Sequence, residues 1–253
     1  MILIPDQEKL REQFVAERRW LKPAFMISAL LLPVSYVLAN LLLQRAAGWS
    51  FTAKLLTGML PLPLCVAAAV LFILPWLKNA PQKWYIELGL GKPTWAMFRD
   101  ALTALGLVIV TVPLLTAVVY LIMELFHANT KGPRLADIFL HAPLLPTVLI
   151  VVFATILAPL AEEMLFRRII FGFMASYFGL WPSLFAVAAF FAFFHDATVQ
   201  YLGLFTLAAV LQMLYLRHRS LWPAIMLHAM NNALTLSLLL FFRLSGIIPP
   251  DWM

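Results

Sequence analysis

Runs of about twenty apolar residues set the first constraint on this chain, because each is long enough to cross the hydrocarbon core of a bilayer as one helix. Ala24 to Gln44, Leu55 to Leu77, Ala101 to Met123 and Ala142 to Ala161 approach or exceed that length, and more crowded runs continue from Leu180 to the end. Buried helices of a soluble core are usually shorter and framed by polar faces. The composition fits the membrane reading: 63% of the 253 residues are hydrophobic and 12% are charged, outside ordinary soluble usage. The expected fold class is an all-α, polytopic integral membrane protein with about seven transmembrane helices.

In such a chain Lys and Arg mainly set orientation, so the net charge of +6 does not point to a nucleic-acid partner. With the N-terminus in the cytoplasm, that side carries Lys9, Arg11, Arg18, Arg19, Lys22, Lys78, Lys83, Lys92, Arg99, Arg217 and Arg219. The other side carries Arg45, Lys54, Lys131, Arg134 and Arg243. Eleven against five predicts a cytoplasmic N-terminus, at the plasma membrane if the source is bacterial, and an odd span count would place the C-terminus outside. The N-terminal segment carries both signs and shows no short apolar core with a small-residue cleavage site, so no removable signal peptide is expected. The single cysteine, Cys65, excludes an intramolecular disulfide and a thiolate metal cluster.

Residues 1–23 are read as a cytoplasmic N-terminal segment and 24–253 as a single helical membrane domain without an internal repeat. Lys78 to Asp100 interleaves Trp84, Tyr85, Trp95 and Phe98 with Lys83, Lys92 and Arg99, which is the composition of an interfacial anchor. His127 to His141 reads as a polar loop whose two histidines are solvated.

Among the twelve acidic residues, Glu162 and Glu163 alone fall deep inside an apolar run, in ILAPLAEEMLFRRIIFGF. Ionisable groups at such depth are costly, and their default reading is function, against a structural ion pair. If the segment is helical, with a kink expected at Pro159, Glu163 and Arg167 lie about 40° apart and can pair directly. Glu162 and Arg167 diverge by about 140°, which leaves Glu162 without a local partner. Gly179 and Pro182 mark a tight turn. From that turn Glu162 and His195 both lie about 24 to 26 Å along their helices, so helix arithmetic makes them neighbours. His228 and Asn232, four residues apart on one face of the last span, lie only about 12 to 15 Å from the Arg217 to Ser220 turn. Tilt, or a turn that enters the membrane, has to supply the difference.

No serine lies among these groups to act as a nucleophile, and two adjacent, diverging glutamates do not make an aspartyl-type dyad. Activation of water remains: Glu162 as general base, His195 orienting or sharing the proton, and His228 with Asn232 donating to an oxyanion. A zinc ion held by Glu162, His195 and His228 is the alternative, although no HExxH signature supports it. From other classes, a proton-coupled transporter would also place Glu, His and Arg at mid-membrane, but its duplicated halves are not evident. A non-catalytic membrane immunity or scaffold protein of the same fold is the third reading. Arg217 and Arg219, beside the expected cavity mouth, would suit a substrate carboxylate or a topological role.

The spacing E162-E163-x-x-x-R167, F191-x-x-x-H195 and H228-x-x-x-N232, in that order, resembles the CPBP family of intramembrane proteases, which includes type II CAAX prenyl endopeptidases and bacterial Abi-like proteins. The resemblance covers about residues 142–240. It implies an all-helical fold, often drawn with eight spans, around a polar intramembrane cavity. It further implies water activation by Glu162 and His195, oxyanion stabilisation by His228 and Asn232, and supporting roles for Glu163 and Arg167. The implied substrate is a membrane-embedded or lipid-anchored peptide, prenylated or not. A metal is not required by the glutamate mechanism, though members were first described as metalloproteases.

Overall fold

The computed structural model describes residues 6–77, 83–128, 134–195 and 198–246, and every regular element in them is helical. Helix α1, Gln7–Gln44, starts on Asp6, whose side chain accepts from the N–H groups of Glu8 and Lys9 as an N-cap does. Helices α2, Phe51–Met59, and α3, Pro61–Ile73, follow; proline at the first helical position suits the start of α3. A single turn, α4, Trp84–Glu87, leads to α5, Trp95–Leu125, and then to α6, Arg134–His141. Helix α7 runs over Leu144–Phe178, α8 over Leu180–Phe193, α9 over Tyr201–His218 and α10 over Trp222–Ser245.

Five helical stretches are long and apolar enough to cross a membrane: α1, α5, α7, Thr198–His218 and α10; a sixth forms if α2 and α3, bent by 40°, count as one. The protein is therefore a polytopic membrane protein with five to six candidate spans among the described residues, a test of length that α8 does not meet. Its 14 residues rise about 21 Å, short of the ~30 Å hydrocarbon core. Helix α5 shows how the bundle meets lipid, since Ala101, Ala104 and Val108 are its buried residues while Leu107, Val110, Leu114 and Leu121 face outward.

The expected kink at Pro159 is replaced by a wider turn. Residues Phe153–Leu157 form a π-helical turn, Pro159 sits near the start of the α-helical stretch that follows, and a second π stretch covers Met164–Ile170. A π turn locally breaks the i→i−4 ladder, so the proline's missing N–H falls where that ladder is already interrupted. The two glutamates lie between the two π stretches, and such bulges concentrate at functional sites.

Residues 7–23 continue α1, and Leu10, Phe14, Trp20 and Leu21 on them are buried in the main core. Phe14 meets Phe171 of α7 edge to face at 5.6 Å. The Trp84–Asp100 segment does more than anchor. Leu88 is fully buried, and Gly89, at φ +82, turns its carbonyl to accept from Leu221 N at 2.8 Å and Ser220 Oγ at 3.2 Å. Trp222 Nε1 donates to the Gly91 carbonyl at 2.5 Å. This segment thus covers the α9–α10 turn; residues 78–82 of the expected anchor lie outside the described residues. The His127–His141 region is likewise not all loop. Ala136, Phe139 and Leu140 of α6 are buried, while His127 and His141 are exposed.

Candidate active site

The residues singled out from the sequence meet at the centre of the bundle. Gly179, with φ +86, ends α7 and turns the chain directly into α8, a backbone geometry that glycine adopts without strain. The hairpin brings His195 Nε2 to 3.7 Å from Glu162 Oε2, the adjacency that helix arithmetic predicted. His228 reaches the same level: its Nε2 lies 3.9 Å from Glu162 Oε2 and its Nδ1 2.8 Å from Glu163 Oε1. The α9–α10 turn that precedes it lies inside the protein beneath Gly89, with Leu221 fully buried.

The two glutamates face different surroundings. Glu163 and Arg167 are both fully buried, with Arg167 Nε 2.9 Å from Glu163 Oε2. Distance makes this an ion pair, but alignment is poor, and none of the three Arg167 nitrogens has a hydrogen-bond partner. The guanidinium rests on the Phe191 ring at 4.6 Å, a cation–π contact that partly offsets desolvation. Glu162 instead lines a cavity of about 1020 Å³ together with His195, His228 and Asn232. Its Oε2 is buried without a hydrogen-bond partner.

Backbone and neighbours fix the imidazole tautomers. His195 Nδ1 lies 2.8 Å from the Phe191 carbonyl, an acceptor only, so Nδ1 carries the hydrogen and Nε2 turns to Glu162. His228 Nδ1 lies 2.8 Å from Glu163 Oε1, and its Nε2 turns to Glu162 Oε2 in the cavity. Phe191 is the shared support: its ring stands 4.4 Å from the His195 ring and 5.9 Å from that of His228. Asn232 Nδ2 donates to the Ala154 carbonyl at 2.8 Å, within the first π turn, which ties α10 to α7 and leaves one further N–H on that amide.

Other charged groups resolve as scaffold. Arg168 turns away from the cavity, pairs with Glu17 at 2.7 Å and donates from Nε to the Glu87 carbonyl at 3.0 Å. Arg217 pairs with Asp100 at 2.8 Å and Arg219 with Glu17 at 3.3 Å, so neither is free to receive a substrate carboxylate. Sequence reasoning missed Tyr36 and Asn40 of α1 and Lys54 of α2, which also line the cavity; the signal was a tyrosine and an asparagine interrupting an otherwise apolar span. Among the described residues no three His, Cys, Asp or Glu side chains are gathered as a metal-ion site.

Comparison with known proteins bears on the same half of the chain. No curated protein and no solved structure matches it. The family model described as type II CAAX prenyl endopeptidase Rce1-like matches residues 143–234, the stretch that holds both glutamates, both histidines and Asn232. Over that segment, about a third of the chain, the sequence is similar to the Rce1-like type II CAAX prenyl endopeptidases.

Proposed function

We propose that the protein hydrolyses a peptide bond in a membrane-associated protein or peptide, with Glu162 as the base that activates water. The observation that carries this reading is a carboxylate oxygen in a large cavity, unpartnered, with two histidine Nε2 atoms at 3.7 and 3.9 Å. Those separations are too long for direct hydrogen bonds and suit a bridging water. Glu162 accepts a proton as the water oxygen bonds to the scissile carbonyl carbon. The tetrahedral intermediate then collapses, the C–N bond breaks, and the proton passes from Glu162 to the departing amine.

Charge accounting supports the histidine roles. Glu163 and Arg167 pair with each other, and the proton taken from the attacking water passes between Glu162 and the histidines that face it. When His228 holds that proton, Glu163 stabilises the imidazolium through Nδ1, and Nε2–H donates to the developing oxyanion beside the free N–H of Asn232. No step in this route needs a metal, and chelation should leave turnover unchanged.

Cleavage of a membrane-anchored peptide by purified protein tests the reading. Glu162→Gln should lower turnover by about 10²- to 10⁴-fold with folding intact. Glu163→Gln keeps an acceptor for His228 but leaves Arg167 unpaired, so its main loss should be stability. Undiminished activity in Glu162→Gln ends the assignment.

A further inference from the structure

The cavity is lined from one end of the bundle. Its wall uses the last turns of α1 to Gln44, the start of α2 at Phe51, Ile138 of α6 and Gln200 ahead of α9. On α7 the lining runs from Phe153 no further than Glu162, and on α10 from His228 toward Leu239. The opposite end is closed. Glu163 and Arg167 are fully buried beneath the cavity floor, the Arg168–Glu17–Arg219 cluster lies on the α1 and α9 ends beyond them, and the α9–α10 turn is sealed by Gly89.

The cations divide along the same line. Among the described residues, ten of the fourteen Lys and Arg residues that flank the helices lie at the closed end, with α1's first half, the segment leading into α5 and the α9–α10 turn. Lys54 and Arg45 belong to the open end, and the exposed Lys54 side chain lines the mouth without an acidic partner among the described residues. A bias of this size places the closed end in the cytoplasm.

We infer that the cavity opens on the non-cytoplasmic side of the membrane, and that its substrate is an apolar peptide segment of a protein already exposed on that side. The entry side follows from cavity and charge; the substrate class rests in addition on the peptidase reading. A cytoplasmic prenylated C-terminus would meet the sealed end, where Glu163, Arg167 and the α9–α10 turn separate it from Glu162.

Single cysteines decide the side. In a Cys65→Ala background, Lys54→Cys marks the cavity mouth and Arg11→Cys the closed end; both native positions are exposed. Spheroplasts treated with a membrane-impermeant maleimide should label Lys54→Cys directly and Arg11→Cys only after permeabilisation. The reverse pattern overturns the inference, and Gln44→Cys, at the same rim, provides a second position if Lys54→Cys folds poorly. For the substrate class, a peptide carrying an apolar segment is supplied outside vesicles of each orientation. Turnover confined to right-side-out vesicles is expected, and turnover confined to inside-out vesicles overturns it. Cleavage in neither orientation sinks the peptidase reading and the substrate class with it, while the labelling still decides the side.

Discussion

Two charged clusters hang from consecutive turns of α7 and are built on opposite principles. Around Arg168, polar groups are matched: the guanidinium reaches the Glu17 carboxylate and the Glu87 carbonyl, and stacks over Trp20 at 4.6 Å. Around Glu162, Glu163 and Arg167, five buried polar atoms lack hydrogen-bond partners. Unsatisfied buried groups are destabilising, so a chain keeps them where they do something else. Satisfaction fits the Arg168 cluster to a scaffold role, and its absence supports the working role proposed for the cavity cluster.

The sharpest way to break that comparison is to exchange expectations between the clusters. Arg168→Met leaves Glu17 with Arg219 as its remaining partner, and losing one member of a buried pair costs about 3–5 kcal/mol. Thermal unfolding in detergent should therefore show a large loss of stability, while turnover per folded molecule stays near wild type. Glu162→Gln removes a charge with no paired partner and should leave the unfolding temperature unchanged or raise it, with turnover lost. If Glu162→Gln proves as destabilising as Arg168→Met, Glu162 is also scaffold and the two clusters do not differ in kind.

This division was only half legible in the sequence. The Glu163–Arg167 pair and the Glu162–His195 adjacency follow from helical periods and one glycine turn, both local properties. The position of His228 does not, because its contacts with Glu162 and Glu163 join two separate helices, and periodicity carries no information about such a contact. Arg168 looked equivalent to Arg167 in one dimension; its partners, Glu17 and Glu87, come from separate segments with no spacing rule to connect them. The fold class was legible from hydropathy alone, whereas the number of spans depends on how short apolar helices such as α8 are counted.

Asn232 sharpens the comparison because it belongs to both kinds of cluster, holding the first π turn through Ala154 and lining the cavity. Loss of an oxyanion donor costs about 10²- to 10³-fold in kcat. Asn232→Ala should show that loss with KM little changed, measured by steady-state cleavage. A raised KM with kcat preserved would assign Asn232 to holding α10 against α7 alone.

The smallest expected effect comes from Gly89→Ala. An added Cβ would lie 3.4 Å from both Leu221 Cγ and Leu221 N, ordinary contact distances, so the cost is mainly that of an L side chain at positive φ, about 1 kcal/mol. His228 has two candidate determinants of depth: the buried turn that Gly89 covers, seven residues before it, and the 2.8 Å contact to Glu163. A charge-assisted hydrogen bond is stiffer than a shifted turn, and Glu163 is itself held by Arg167. Gly89→Ala should consequently lower the unfolding temperature by a few degrees and leave kcat unaltered. A fall in kcat larger than the stability change explains would mean that the cover, and not Glu163, sets the height at which His228 meets Glu162.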